Sequence, residues 1–296
     1  MNLLKTEFFR LFSRWIVGFI SVALLAWVIW KQDWTAFGNL ITSQRGWLIL
    51  AAGIASMLLV QVFAALRWLI LLRIENPTYP FRNALRLTLI GAFTSFFLPT
   101  TTGGDIVRIV GLTDRSRAAG VAIVAIDRIV SLSGMVLLIP VSIPTISAPL
   151  IKTNSISPLL KSFLEDLKQN LIVWRKYPGT LAKALFLALG SFAWGWITVW
   201  IFAKGLNLEV NYWQIVGAGV WIYMAGLLPI AINGLGIQEA GYVYFYGLLG
   251  VTPALAATLG LLIRLTYLLS VSSGGIWLAF SPEIVKSIQG RHRSLS

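Results

Sequence analysis

Long apolar runs separated by short polar stretches set the pattern of this chain of 296 residues. Residues 16–30, 47–72, 118–141, 181–202 and 254–280 are apolar almost throughout and predict membrane helices. The run 85–98 is too short to span alone, at about 1.5 Å per residue against a hydrocarbon core about 30 Å thick. It leads into residues 96–108, FFLPTTTGGDIVR, where a proline, three threonines, two glycines, an aspartate and an arginine interrupt the apolar pattern. Pro99 removes a backbone donor, and Gly103 and Gly104 tolerate conformations closed to other residues. The helix should therefore break near Pro99 and restart near Gly104, with Asp105 in the first turn. At membrane depth such a break survives only where protein or a water-filled cavity surrounds it.

A second break echoes the first. Residues 226–240 read GLLPIAINGLGIQEA, again Leu-Pro, a short linker, a glycine pair and an acid, Glu239, flanked by the runs 213–228 and 242–249. The register continues: residues 116–128 (SRAAGVAIVAIDR) lie 136 positions before residues 252–264 (TPALAATLGLLIR), and both segments end in arginine. This predicts an internal duplication. The expected fold is all-α: a polytopic membrane protein with about 7–8 transmembrane or re-entrant segments in two related halves with broken helices. Residues 1–296 form one integral membrane domain. Half one covers about 15–149, an amphipathic connector about 150–180, half two about 181–282, and a cytoplasmic tail 283–296. Within the connector, residues 159–174 suit an interfacial helix, or equally a solvated linker helix. Paired breaks in corresponding positions point to a transporter's binding site. The plainer reading is that Pro and Gly kink two helices for packing.

Lys5, Arg10 and Arg14 precede the first span, and no small-residue cleavage site follows Trp30. A membrane helix with a cytoplasmic N-terminus is expected rather than a signal peptide. Arg73, Arg82 and Arg86 make the next loop cytoplasmic, and Arg67 should snorkel to the interface. Two re-entrant hairpins do not fit these counts together with two cytoplasmic termini, so one break is expected in a crossing helix.

Composition narrows the class. The chain is 57% hydrophobic and 12% charged, and 24 Lys and Arg against 11 acids give a net charge of +13. Those bases are scattered through loops, which suits anionic lipid surfaces and argues against nucleic acid. There is no cysteine, and the single histidine, His292, lies in the polar tail. No metal or cofactor is expected. The tryptophans near span ends (Trp15, Trp27, Trp30, Trp34, Trp47) fit interfacial belts.

Six charges remain near membrane depth: Asp105, Arg108, Asp127, Arg128, Glu239 and Arg264. Each alone would cost about 2.5–3.5 kcal/mol at a helix centre, so they should pair and face a cavity. Asp105 and Arg108, three apart, share a helix face. Arg128 and Arg264 should face one shared cavity, partnered by Asp105 and Glu239. With Thr102, Gly103, Gly104, Asn233, Gly234 and Gly236 at the breaks, these residues are the candidate headgroup-binding or cavity set. Arginine's planar fork suits phosphate, and helix starts at Gly104 and Gly236 would add backbone donors. The plainer reading is a set of structural ion pairs that lock the helices.

LPTTTGGDIVR followed by IDR, then LPIAINGLGIQEAG followed by LLIR, resembles the lysylphosphatidylglycerol synthase transmembrane family of flippase-like proteins, over about residues 15–282. The resemblance implies lipid translocation between leaflets, as in the membrane half of the aminoacyl-phosphatidylglycerol synthase. Other members are stand-alone proteins, some tied to hopanoid or glycolipid pathways. The soluble aminoacyl-transfer region does not follow, so a stand-alone member that makes no lysyl-lipid is expected. Thr100 to Thr102 stand where glycine-rich versions are common in the family.

The expected function is translocation of an anionic or glycosylated lipid through a polar cavity between the halves, in the bacterial inner membrane. The substrate would be a phospholipid or glycolipid, with a lipid-synthesising enzyme as a candidate partner. With no nucleotide-binding loop, a gradient must drive it. The alternative is a membrane-embedded transferase or accessory subunit of a lipid- or glycan-modifying pathway, and a third is a scaffold. Oligomeric state is open.

Overall fold

The computed structural model describes residues 26, 27, 29, 30, 33–96, 103–112, 114–142, 177–227 and 232–281. Within them the chain is all-α, with no strand. Helix α1 is Trp34–Thr42, α2 Gln44–Leu72, α3 Phe81–Thr94, α4 Gly103–Val110, α5 Asp114–Ser142, α6 Pro178–Gly205, α7 Tyr212–Gly226, α8 Ile237–Leu248 and α9 Pro253–Ala279. A short 3-10 turn, Ile232–Gly234, precedes α8. The order long, short, break, short, long therefore occurs twice, as α2 to α5 and as α6 to α9. Four helices (α2, α5 from Ala119, α6 and α9) are long and apolar enough to cross a membrane.

Local chemistry fixes the helix starts. Asp33 caps α1 by accepting from the amides of Thr35 and Ala36, and Ser43 caps α2 through the Gly46 amide. Asn211 and Gln214 form a reciprocal capping box at α7. Pro178 and Pro253 open α6 and α9, where a missing N–H costs nothing. Helix α1 follows the first predicted span without a separate apolar run to announce it, and the sequence reading did not anticipate it.

Both breaks fold back into hairpins. In the first, Gly91 of α3 and Ser95 at its C-terminal cap pack on Gly104 of α4, and Leu87 meets Gly111. Helices α3 and α4 are therefore antiparallel, and both open towards the end where α2 finishes. In the second, Gly226 lies on Gln238 and Ile222 on Gly241, so α7 and α8 are antiparallel as well. The expectation that one break lies in a crossing helix is thus corrected.

The halves run in opposite directions. Helices α2 and α6 pack antiparallel: Gly53 touches the Phe202 ring, Gly190 the Phe63 ring, and the hydroxyls of Ser56 and Thr198 bond at 2.8 Å. Gly134 of α5 lies against Ala188 of α6, and Ile126 shares one core cluster with Ala184 while Ile139 shares the other with Val199, which makes α5 and α6 parallel. Helix α9 returns beside α3, with Gly274 against the Leu89 carbonyl and Arg86 bonded to Ser281. One end of the bundle therefore gathers Leu72, Phe81, Asp114, Pro178 and Ala279, and holds Arg73, Arg82, Arg86 and Lys183. The other gathers Gln44, Ser142, Gly205, Tyr212 and Pro253, and carries the exposed rings of Trp30, Trp34, Trp47 and Trp213. These are called the basic and aromatic ends below. The first hairpin enters from the basic end and the second from the aromatic end. This removes the conflict in the charge counts, because α5 ends and α6 begins at opposite ends of the bundle.

Two apolar cores result. Trp68, Leu71, Leu87, Ile90, Val107 and Ile123 pack towards the basic end. Phe202, Ile215, Val220, Tyr246 and Leu259 pack towards the aromatic end. Polar side chains from both halves lie between them. The first predicted span apart from residues 26, 27, 29 and 30, the helix expected over 159–174, Pro99, Thr102 and the tail all lie outside the described residues.

Candidate functional site: a charged cavity between the two hairpins

Helix α4 begins at Gly103, which puts Asp105 in its first turn and Arg108 one turn on. Helix α8 begins after Gly236, with Glu239 at the corresponding place. The glycines act differently in the two breaks. Asn233, Gly234 and Gly236 have φ of 49°, 66° and 81°, so the second break needs the left-handed region that glycine and asparagine tolerate. Gly103 and Gly104 are not left-handed. A Cβ at Gly104 would strike the Gly91 carbonyl and the Ser95 hydroxyl, so that glycine permits close packing of the hairpin instead.

On each side an arginine from the last long helix of the half meets the acid of the break. Arg128 donates from Nε to Asp105 Oδ2 at 2.8 Å, and its Nη2 lies 2.6 Å from the same oxygen. Arg264 donates from Nε to Glu239 Oε1. The other oxygen of Glu239 accepts the Gly236 amide at 2.7 Å. Arg264 also donates to the carbonyls of Asn233 and Gly234, each at 3.3 Å, and to Gln238 Oε1 at 3.2 Å.

Half one carries three further charges, Arg67, Arg108 and Asp127. Arg67 binds Asp127 with both arms of its fork, Nε to Oδ1 at 2.6 Å and Nη2 to Oδ2 at 3.2 Å. Its side chain is buried, so it does not snorkel: α3 and α5 pack round this turn of α2. Arg108 lies over the Trp68 ring, 5.8 Å from its centroid, with Nη1 at 3.6 Å from Asp105 and 3.7 Å from Asp127.

All of these side chains line one cavity of about 490 Å³, within the range of about 300–1,000 Å³ typical of small-molecule sites. Of the candidate set, Gly104, Asp105, Arg108, Asp127, Arg128, Asn233, Glu239 and Arg264 line it; Gly103, Gly234 and Gly236 do not. Sequence reasoning missed Gln61, Arg67, Tyr223, Gln238, Tyr242 and Tyr267, which also line it. Only Arg67 and Gln61 carried a signal, as polar residues six positions apart within one apolar run.

Apolar helices of spanning length, two hairpins entering from opposite ends and a charged cavity where they meet define a polytopic integral membrane protein. The family model of the lysylphosphatidylglycerol synthase transmembrane region matches residues 14–160 and again 150–275. The chain belongs to that family. No curated protein matches it.

Proposed function

We propose that this protein moves a lipid with an anionic or glycosylated headgroup between the leaflets of a bacterial inner membrane. The headgroup passes through the cavity while the acyl chains stay in the bilayer. One observation carries this reading: arginine–carboxylate pairs from two oppositely directed halves line a single cavity at the depth where the two hairpins meet. Apolar cores above and below would suffice for a scaffold, whereas buried ion pairs are often no more stabilising than apolar packing. The internal duplication fits it as well, since transporters place substrate sites where inverted halves meet. The gradient of the lipid itself, or an ion gradient, supplies the drive.

The same reading gives the orientation. The basic end faces the cytoplasm, by the positive-inside rule, and the N-terminus with Lys5, Arg10 and Arg14 lies on that side.

The test is leaflet exchange of a headgroup- or chain-labelled lipid in reconstituted vesicles, read by chemical quenching of the outer leaflet. Vesicles containing the protein should exchange label faster than empty vesicles. Arg128→Gln should exchange more slowly per folded molecule. Exchange at the rate of empty vesicles, for anionic and glycosylated lipids alike, would overturn the reading.

A further inference from the structure

Charge in the cavity does not balance. Among the described lining residues, four arginines (Arg67, Arg108, Arg128 and Arg264) stand against three carboxylates (Asp105, Asp127 and Glu239). Arg67, Arg128 and Arg264 each donate a hydrogen bond to a carboxylate. Arg108 makes only two longer ion pairs, at 3.6 and 3.7 Å, with acids that Arg128 and Arg67 already engage. Its buried Nε has no hydrogen-bond partner.

The exposure of the cavity is uneven too. Arg128 is the central residue of the 29-residue α5, about 21 Å from either helix end at 1.5 Å per residue. Yet its side chain is 46% exposed. A guanidinium open at that depth is costly unless water or an anion faces it. The corresponding Arg264 is 11% exposed and enclosed by Glu239, Gln238 and two backbone carbonyls. Arg108 and Arg128 lie on the two oxygens of one carboxylate, Asp105. The surplus cation and the open rim are therefore adjacent.

We infer that the cavity takes a phosphate-bearing lipid of net charge −1, whose phosphate oxygens bridge Arg108 and Arg128 while its chains remain outside the rim. This rests on the translocase reading and narrows it. A single negative charge balances the cavity; a neutral glycosylated headgroup leaves Arg108 unmatched, and a zwitterion brings a second cation beside it. Guanidinium forks bind phosphate through paired, charge-assisted bonds.

The experiment measures equilibrium binding to the purified full chain in neutral detergent, so it does not depend on transport. The probes are short-chain phosphatidylglycerol, phosphatidylcholine and a diacyl glucoside with the same chains, and inorganic phosphate alone. Phosphatidylglycerol should bind tightest, and Arg108→Gln should weaken it by about tenfold or more, the worth of a charge-assisted hydrogen bond. Arg108→Lys, which keeps the charge, is read beside it in case the glutamine variant folds poorly, and should recover part of the loss. Arg86→Gln, at the basic end outside the cavity, should bind as the wild type does. Glucoside or phosphatidylcholine binding as tight as phosphatidylglycerol overturns the inference, as does unchanged phosphatidylglycerol affinity in folded Arg108→Gln and Arg108→Lys. Inorganic phosphate binding as tight as the lipid would make this a soluble-anion site and overturn the lipid assignment. Selective binding without leaflet exchange would sink the translocase reading and leave the binding site standing. Exchange of glucoside as fast as phosphatidylglycerol would do the reverse.

Discussion

Three arginines contend for two carboxylates around Asp105 and Asp127, and their geometry ranks them. Arg67 holds Asp127 with both arms of its fork and is enclosed by α3 and α5. Arg67→Gln should therefore cost about 3–5 kcal/mol, the usual penalty for leaving a buried charge without its partner. Thermal unfolding in detergent measures it. The same reasoning separates Arg128 from Arg264, although they occupy equivalent places. Arg264 satisfies four acceptors in an enclosed site, so Arg264→Gln should lower folded yield more than Arg128→Gln. Arg128→Gln should act chiefly on exchange rate; equal loss of yield in the two variants would mean that the exposure of Arg128 has no functional weight. The acids and arginines of the breaks were legible in the sequence because charge inside a long apolar run has few explanations. Arg67 was not, because it lies five residues from the end of α2. Whether a charge there reaches water depends on what packs beside it, and here that is a hairpin more than ten residues further along the chain.

Helix breaks were legible from proline, glycine and threonine, but their direction was not. A chain that breaks at mid-membrane can fold back or continue, and the choice is made by tertiary contact. In the first hairpin that contact is the approach of Gly104 to the Gly91 carbonyl, which no local pattern encodes. Gly104→Ala should overpack it and cost about 1–3 kcal/mol. Gly236→Ala should cost about 1–2 kcal/mol for a different reason, the left-handed backbone. Gly195→Ala, which adds a methyl group to open space at the cavity lining, should stay within about 0.5 kcal/mol of the wild type. The three melting temperatures, measured together, distinguish close packing from backbone strain. The charge counts failed at this scale for a related reason: they assume that each apolar run crosses once.

At the scale of the whole molecule, the opposite direction of the two halves is directly measurable. The sequence has no cysteine, so single cysteines report without a background. Gly179→Cys at the start of α6 and Gly247→Cys near the end of α8 both add side chains where nothing lies within 4 Å. An impermeant thiol reagent should label Gly247→Cys from outside the cell and Gly179→Cys only after the membrane is opened. Labelling of both from one side would exclude a half two in which α6 crosses and the second hairpin returns to the outer face. With half one oriented as proposed above, labelling of Gly179→Cys alone from outside would exclude the inverted arrangement.

Opposed halves also have an electrical consequence. Every helix carries a dipole along its axis. Among the described helices, α2 opposes α6, α5 opposes α9, and the hairpins enter from opposite ends, so their components normal to the membrane cancel. A membrane potential then finds little net dipole in these helices to turn. On the translocase reading proposed above, it acts instead on the lipid being moved, at about 2.3 kcal/mol per elementary charge for 100 mV across the full thickness. For an anionic lipid and an interior-negative cell, that field favours outward movement. On that reading, voltage itself would set the direction of traffic.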